Sequence, residues 1–532
     1  ESSSCRICCV EEEGWDKMLT ACSTRVKNGM KIRTDSLKVI RTRRMMIELL
    51  LSDHPKDCLV CIKNGNCELQ TLAADAGIRK IRVDGETRKC SIDESSYSLI
   101  RDMNKCILCK RCETMCNDVQ TVGALTDVGR GFKTVVGTVF DKPMLETTCT
   151  FCGQCVAVCP TGALAEVDNT QEVWDALASD KTVVVQTAPA IRVALGESFG
   201  MEPGTDVTGK MVTALKSIGF DYVFDTNFAA DVTVMEEAAE FVDRIKNNKT
   251  LPILTSCCPS WIKFVEHNFP TLVDIPSSCK SPHEMFGGLA KTYLAMKLGK
   301  KPEDIIVVSV MPCIAKKYES ARPELSVNGL SDVDIVISTR ELARMITDAT
   351  INFTKLEDSN FDKLMGESSG AGTIFGTSGG VAEATLRTAY HMLTGGELQE
   401  LNFTPLRGFE KIKETTVKIG DTDIHVAVAN GLGNARELLN RVREGKEKYH
   451  LIEIMACPGG CIDGGGQPYH SGHGSILQKR MQAIYNIDEN KAVRQSHLNP
   501  EVIKLYREYL GEPYSGLAHK LLHTHFKVRT EI

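Results

Sequence analysis

The sequence has no run of about 18 or more apolar residues, which leaves no candidate for a transmembrane helix. Nor does it carry an excess of one charge: 63 basic side chains against 69 acidic ones give a formal charge of -6, too little to steer the chain toward nucleic acid or an anionic surface. Glu1-Ser-Ser-Ser-Cys5 holds neither the basic region nor the apolar stretch of a signal peptide, and the expected location is the cytoplasm. An initiator Met is missing there too, so residue 1 is expected to lie downstream of the biological start. No G-x-G-x-x-G opens a βαβ unit; Gly370-Ala-Gly372 and Ser378-Gly379-Gly380 lack the fingerprint, so the chain is not expected to bind NAD itself. What remains is a chain of 532 residues, 42% hydrophobic and 25% charged, the make-up of a soluble globular protein with about three or four domains.

Against these absences stand 22 cysteines. A chain this long builds its own cores without disulfides, and its cysteines come in tight C-x-x-C groups, which hold metal. Cys106, Cys109, Cys112 and Cys116 have the spacing C-x2-C-x2-C-x3-C, and Cys149, Cys152, Cys155 and Cys159 repeat it with Pro160 immediately after. This is the pattern of two-cluster ferredoxins, in which three cysteines wrap one cubane and the fourth, starting a short helix, reaches the other. Cys106, Cys109, Cys112 and Cys159 are therefore expected to hold one 4Fe-4S cluster, and Cys149, Cys152, Cys155 and Cys116 a second.

Upstream, His54, Cys58, Cys61 and Cys67 lie among loop residues (Asp53, Pro55, Asn64, Gly65, Asn66) and read as a third cluster site with one histidine ligand. Zinc takes the same donors, and the neighbouring cluster motifs favour iron. Cys5, Cys8 and Cys22 match the later part of a plant-type 2Fe-2S site whose first cysteine is expected before residue 1. Cys9 is a poor substitute, because adjacent Cys8 and Cys9 would both have to turn to the same cluster. Cys90 and Cys279 receive no ligand role.

Residues 36–52 read as an amphipathic helix. After Ala165 the chain changes to α/β alternation. Apolar runs at 183–185, 222–224, 305–310, 333–337 and 425–429 alternate with helical patterns at 208–218, 234–246, 339–348 and 380–394, which argues parallel sheets covered by helices. The expected domains are a C-terminal part of a plant-ferredoxin-like 2Fe-2S domain (1–40), a 4Fe-4S domain (41–90), a two-cluster ferredoxin-like domain (91–167) and an α/β catalytic domain (168–532). The fold class is thus small α+β iron-sulfur domains preceding a larger α/β part.

Three cysteine-bearing loops follow strand-like runs in that last part: Thr255-Ser-Cys-Cys-Pro-Ser-Trp261, Met311-Pro-Cys-Ile-Ala-Lys-Lys-Tyr-Glu319, and the stretch from Glu453 to Pro468 containing Cys457 and Cys461. Cys457 and Cys461 can chelate one cluster, its glycine-rich surroundings admitting something bulky. Cys313 and one of Cys257 and Cys258 would complete four ligands; three unrelated buried cysteine sites are the other reading.

These loops resemble the signatures of the iron-only (FeFe) hydrogenases, T-S-C-C-P-x-W, M-P-C-x-x-K-x-x-E and E-x-M-x-C-x-x-G-C-x-x-G-G-G-Q-P, and the resemblance covers nearly the whole chain, to Leu-Leu-His-Thr-His at 521–525. It implies a two-lobed catalytic domain with the family's H-cluster in its cleft, reversible interconversion of dihydrogen with protons and electrons, three accessory 4Fe-4S clusters and one 2Fe-2S cluster. Carried over, Cys258, Cys313, Cys457 and Cys461 would hold the cubane of the H-cluster, with Cys461 bridging to a two-iron subcluster that bears carbonyl, cyanide and an amine dithiolate. Lys316 would donate to one cyanide, Ala188, Pro189 and Ala190 would line the pocket near the other, and Met311 and Met455 would pack against the subcluster. Cys257 matches the family's proton-relay cysteine, followed by Glu237, Glu240, Ser277 and Arg244. Glu237, Glu240 and Arg244 share one face of a helix beginning near Asp231, where glutamates beside an arginine are otherwise ordinary surface ion pairs. The implied electron partner is ferredoxin, or flavin- and NAD-binding subunits. The N-terminal arrangement also resembles the large cluster-bearing subunit of NADH dehydrogenases, which has no need of the three loops. A non-catalytic homologue would be expected to lose relay residues that are present here.

Overall fold

The computed structural model describes residues 3–529 apart from 84, 446 and 471. The chain forms two compact units, Glu1–Cys149 with Gln154–Val167, and Thr150–Gly153 with Asp168–Ile532.

The smaller unit buries apolar residues from several short segments, Val39, Leu99, Met103, Leu125, Val136, Met144 and Val156 among them. Strand Cys9–Glu12 pairs antiparallel with Leu19–Thr20 and Ile32–Arg33. Helix α1 (Leu37–Asp53) starts where the Ser36 side chain accepts the Val39 N–H, and ends at His54. Its Ile47 joins Cys67, Leu69 and Ile78 in one cluster of buried residues beside the His54–Cys67 loop. Leu99–Asp102 pairs antiparallel with Ile92–Asp93 and Leu164–Glu166, which brings together the two ends of the segment carrying the paired cysteine runs. The expectation that the fourth cysteine of each run starts a helix does not hold. Cys116 lies inside the turn Met115–Val119 that continues the helix Arg111–Thr114. Cys159 follows the helix Gln154–Ala157, its N–H closing that helix on the Val156 carbonyl.

The larger unit holds two four-stranded sheets. Strands β1 (Thr182–Thr187), β2 (Tyr222–Asp225), β4 (Ile305–Met311) and β5 (Ile335–Ser338) form the first, in the order β2-β1-β4-β5 and parallel throughout. Strands β3 (Ile253–Leu254), β6 (Ile412–Ile419), β7 (Thr422–Asn430) and β8 (Leu451–Met455) form the second, in the order β3-β8-β7-β6. Here the expectation of parallel pairing fails at one edge, because β6 and β7 are joined by Gly420-Asp421 and a two-residue link can only reverse the chain. β6 escapes a search for apolar runs because it alternates buried and exposed residues, as an edge strand with one wet face does. β5 begins at Ile335 rather than Val333: the Asp334 N–H donates to the Val307 carbonyl at 3.0 Å, but the Val307 N–H turns to the Asp334 carboxylate at 2.7 Å.

Helices α2 (Thr208–Ile218), α4 (Thr339–Asp348) and α5 (Gly380–Thr394) fall at their expected limits. α4 starts with a reciprocal cap between Ser338 and Glu341. Helix α3 (Thr226–Lys246) starts well before Asp231, because the Asp225 carboxylate caps it by accepting the Asn227 N–H and the next residues are apolar and buried. Each sheet has its own core, one around Val184, Val307 and Ile337 and one around Val426, Val428 and Leu451. A third cluster, with Ala190, Val234, Ile374, Met455 and Ile462, has Cys257, Cys258 and Cys461 packed against it.

Candidate active site

Parallel strands deliver their following loops to one edge of a sheet, and here both sheets do so. Cys258 follows β3 and stands at the start of the helix Pro259–Asn268, Cys313 follows β4, and Cys457 and Cys461 follow β8. The four thiols lie in one another's field. Enclosure and then Cys258 push Cys313 up to about 12, and enclosure, Cys313 and Cys258 push Cys461 up to about 12. Cys457 is raised well above the usual thiol range by enclosure, Cys313, Asp463 and Cys258. Four sulfurs so placed cannot ionise together unless a multiply charged soft centre sits among them, which an iron-sulfur cubane is. The donor set therefore fits that group.

The surroundings are apolar with a few fixed polar groups. Met311 and Met455 are buried, as are Ala188, Pro189 and Ala190 beyond β1. Lys316 is buried and its Nζ donates to Glu319 Oε2 at 2.7 Å and to the Cys257 carbonyl at 3.0 Å. Burial opposes ionisation of Glu319, but Lys316 and His283 hold its carboxyl well below the usual range. Gln467, which sequence reasoning passed over inside its own motif, donates to the Ala190 carbonyl at 3.0 Å and accepts from Thr339 Oγ1 at 2.7 Å. It thereby ties the third loop to the loop after β1.

One close approach needs glycine on both sides. A Cβ on Gly465 would lie 2.7 Å from Gly153 Cα and 3.0 Å from the Cys152 carbonyl. That contact holds the segment carrying Cys152 against the loop that carries Cys461, and Cys152 is among the charges felt by Cys457. A Gly465→Ala variant is expected to push this segment away and to slow electron delivery several-fold at unchanged iron content. Reduction kinetics by stopped flow check it.

A line of polar groups leads away from Cys257. Enclosure and then Glu237 raise the Cys257 thiol. Burial and then Glu240 push Glu237 up to about 8, while Thr385 Oγ1 donates to it at 3.3 Å. Glu240 Oε2 accepts from Ser277 Oγ, Ser278 Oγ and the Ser278 N–H, each at 3.0 Å, and its Oε1 accepts from Arg244 at 2.5 Å. Glu240 and Arg244 also line a cleft of about 380 Å³ with Asp243, Ser278, Tyr514 and His519. The two glutamates are 1% and 2% exposed, so the surface ion pair expected of such residues does not describe them. Ser278 and His523, which no motif marks as site residues, join this line. Ser278 Oγ lies 2.8 Å from His523 Nδ1, and His523 Nε2 lies 2.9 Å from Glu236. The only signals were Ser278 beside Ser277 and His523 in the C-terminal Leu-Leu-His-Thr-His. Cys279 is fully buried, with its Sγ 4.0 Å from His523 Nδ1.

In the smaller unit, Cys106 is raised to about 11 by burial, then by Cys159 and Cys109. Cys112 is raised by burial and by Cys159, Cys106 and Cys109, whose thiols lie within its field. Cys116 is half-buried beside the backbone N–H groups of Ala124, Leu125 and Gly123. His54, Cys58, Cys61 and Cys67 line one cavity of about 170 Å³, and the buried His54 Nδ1 has no hydrogen-bond partner there. Cys5, Cys8 and Cys22 line another of about 270 Å³ together with Cys109. Cys9 points into the interior of its strand instead, at 2% exposure, and Cys90 is tied through its backbone to Asn104. Orphaned or crowded soft donors in each cavity fit iron-sulfur clusters. The sites also adjoin: Cys5 is among the charges felt by Cys109, and the Glu68 N–H beside Cys67 donates to the Pro160 carbonyl beside Cys159.

Cluster sites in small α+β domains, together with an α/β domain that gathers four thiols beside a buried line of acids, define an iron-sulfur oxidoreductase. The family described as iron only hydrogenase large subunit, C-terminal domain, matches residues 181–465, and the iron hydrogenase small subunit family matches 474–529. Upstream, the 2Fe-2S iron-sulfur cluster binding domain matches 1–36, the NADH-ubiquinone oxidoreductase-G iron-sulfur binding region 43–82, and the ferredoxin-like domain of NADH-quinone oxidoreductase subunit 3 residues 98–165. The NADP-reducing hydrogenase subunit HndD of Solidesulfovibrio fructosivorans is 55% identical over 100% of this chain and 92% of its own length. Iron hydrogenase 1 of Clostridium pasteurianum is 42% identical over 99% of this chain and 92% of its own length. A solved structure of apo FeFe-hydrogenase HydA1 from Chlamydomonas reinhardtii, a variant, superposes with a TM-score of 0.62 at 40% identity, covering 68% of this chain and 100% of that one. The chain belongs to the iron-only (FeFe) hydrogenases. It interconverts dihydrogen with protons and electrons at a site of H-cluster type, the electrons relayed through several iron-sulfur domains. Among the described residues no helix is long and apolar enough to cross a membrane.

Proposed function

We propose that Cys258, Cys313, Cys457 and Cys461 hold the cubane of the H-cluster, with Cys461 shared with the two-iron part, and that protons and electrons reach it by separate routes. When bound, the two-iron part supplies the metal that takes up dihydrogen and the amine that exchanges its proton. Lys316, already fixed by Glu319, has a further N–H to offer a cyanide, while Met311, Met455, Ala188, Pro189 and Ala190 exclude water and hold the group by packing. Cys257 takes and returns the proton, and Glu237, Glu240 and Ser277, with Arg244 orienting Glu240, carry it to the cleft. The enclosure of Glu237 between Cys257 and Glu240 carries this reading, because an acid 1% exposed and tied only loosely, by Thr385 Oγ1 at 3.3 Å, has no evident structural use there.

His54, Cys58, Cys61 and Cys67 would hold one accessory 4Fe-4S cluster, Cys106, Cys109, Cys112 and Cys159 a second, and Cys149, Cys152, Cys155 and Cys116 a third, and these clusters would supply the electron route. A 2Fe-2S cluster takes Cys5, Cys8 and Cys22 as ligands. The domains run 1–40, 41–90, 91–167 and 168–532. Infrared and paramagnetic resonance spectra of the matured enzyme test these assignments: carbonyl and cyanide bands and separate 2Fe-2S and 4Fe-4S signals are expected. Missing bands would sink the H-cluster assignment, and a missing 2Fe-2S signal the N-terminal one.

The electron partner is a flavin-bearing, nicotinamide-linked subunit in a cytoplasmic complex. Similarity along the whole chain to a subunit of an NADP-reducing hydrogenase supports this, as does the lack of a dinucleotide fingerprint here. Under hydrogen, the purified chain is expected to reduce ferredoxin or a viologen dye but not NADP; direct NADP reduction would refute the partner assignment.

A further inference from the structure

His391 in the last turn of α5, Glu397 in the loop that follows, and His497 in the turn Ser496–Leu498 belong to neither the thiol site nor the proton route. Their ligand atoms nevertheless lie within 4.8 Å of one another. His391 Nδ1 is 3.0 Å from Glu397 Oε1, His497 Nε2 is 3.3 Å from Glu397 Oε2, and the two imidazoles stack with centroids 4.3 Å apart and planes 15° from parallel. The His391 nitrogen is buried yet makes no hydrogen bond, despite that short approach. On the other side, His497 Nδ1 lies 3.3 Å from the hydroxyl of the buried Thr388, which leaves Nε2 turned toward the carboxylate. A histidine anchored through one ring nitrogen and presenting the other is how metal-ligating histidines are oriented. Gln495 donates to Glu397 Oε2 at 3.2 Å and steadies the carboxylate.

Two imidazoles and one carboxylate are the donors that zinc and other borderline divalent cations take, with remaining positions filled by water. Hard cations such as magnesium and calcium prefer oxygen donors and are disfavoured. His497 is almost buried, whereas Glu397 and His391 are exposed enough to give an ion a way in.

We propose that His391, Glu397 and His497 form a site for a zinc-like divalent cation. His391 and Glu397 lie in the part that matches the large-subunit family, and His497 in the part that matches the small-subunit family. The cation therefore clasps the C-terminal segment to the end of α5, adding to the pairing of Asp488 with Arg387 and Arg494. Because it binds the folded form, it raises resistance to unfolding by an amount that grows with the logarithm of the free cation concentration once the site is filled.

Holoenzyme loaded with zinc chloride and then dialysed is expected to keep one zinc per chain more than His391→Ala or Glu397→Gln, with iron content and hydrogen turnover unchanged in both variants. Zinc should also raise the inactivation temperature of the wild type alone. Zinc retained equally by wild type and variants overturns the proposal. Should a variant lose its iron, X-ray absorption at the zinc edge of the loaded wild type decides: a shell of imidazole nitrogen and oxygen supports the site, and a shell dominated by sulfur overturns it.

Discussion

A Cys257→Ala variant is expected to keep its full cluster content and lose hydrogen turnover by about 10²–10⁴-fold, the usual contribution of a positioned proton donor. Cys257 and Cys258 are neighbours in one loop, yet their surroundings differ. Cys258 stands at the start of a helix among the thiols of Cys313, Cys457 and Cys461, whereas after enclosure the largest influence on Cys257 is Glu237. Alanine at 258 should therefore lower iron content, while alanine at 257 should not. Iron analysis and hydrogen evolution measured on both single variants separate the roles. Equal iron loss in the two, or near-normal turnover in Cys257→Ala, would show that the pair has been assigned the wrong way round.

A Glu237→Gln variant should lose turnover by a similar about 10²–10⁴-fold, since the amide keeps the shape but cannot pass a proton. It should also change stability with a definite sign. Burial, with Glu240 adding to it, pushes the Glu237 pKa up to about 8 from an ordinary 4.5. Between those values the folded protein holds a proton that the unfolded chain has released, so the wild type loses stability as pH rises from about 5 toward 8. The glutamine variant has no such proton to hold. Its melting temperature should gain on the wild type across that window and level off above it. A constant difference at all pH values would mean that Glu237 is not buried in a raised-pKa state, and would remove it from the relay.

The relay is also where reading the sequence and seeing the fold part company. The spacing placed Glu237, Glu240 and Arg244 on one helix face, and α3 does so. Without the resemblance, though, those residues read as a solvated ion pair. Nothing local distinguishes a helix face that is wet from one packed against α5 and the 276–279 loop. The same holds for His523, which meets Ser278 across 245 residues of chain, and for His391 and His497, whose stacking has no counterpart in their spacing.

The sequence by itself determined the cluster-binding segments, the strand runs of the parallel sheet and the three catalytic loops. These are local properties: a C-x2-C pair spans a few residues, its reach is set by about 3.3–3.6 Å per residue, and the same pattern closes on a metal wherever it occurs. Tertiary structure alone decided that Glu237 and Glu240 are enclosed, that β6 turns back antiparallel on β7, and that Gly153 and Gly465 touch. Those outcomes depend on packing between segments far apart in the chain. Burial, which sets both the pKa of an acid and the room for a cluster, is a property of such packing and not of any short stretch of residues.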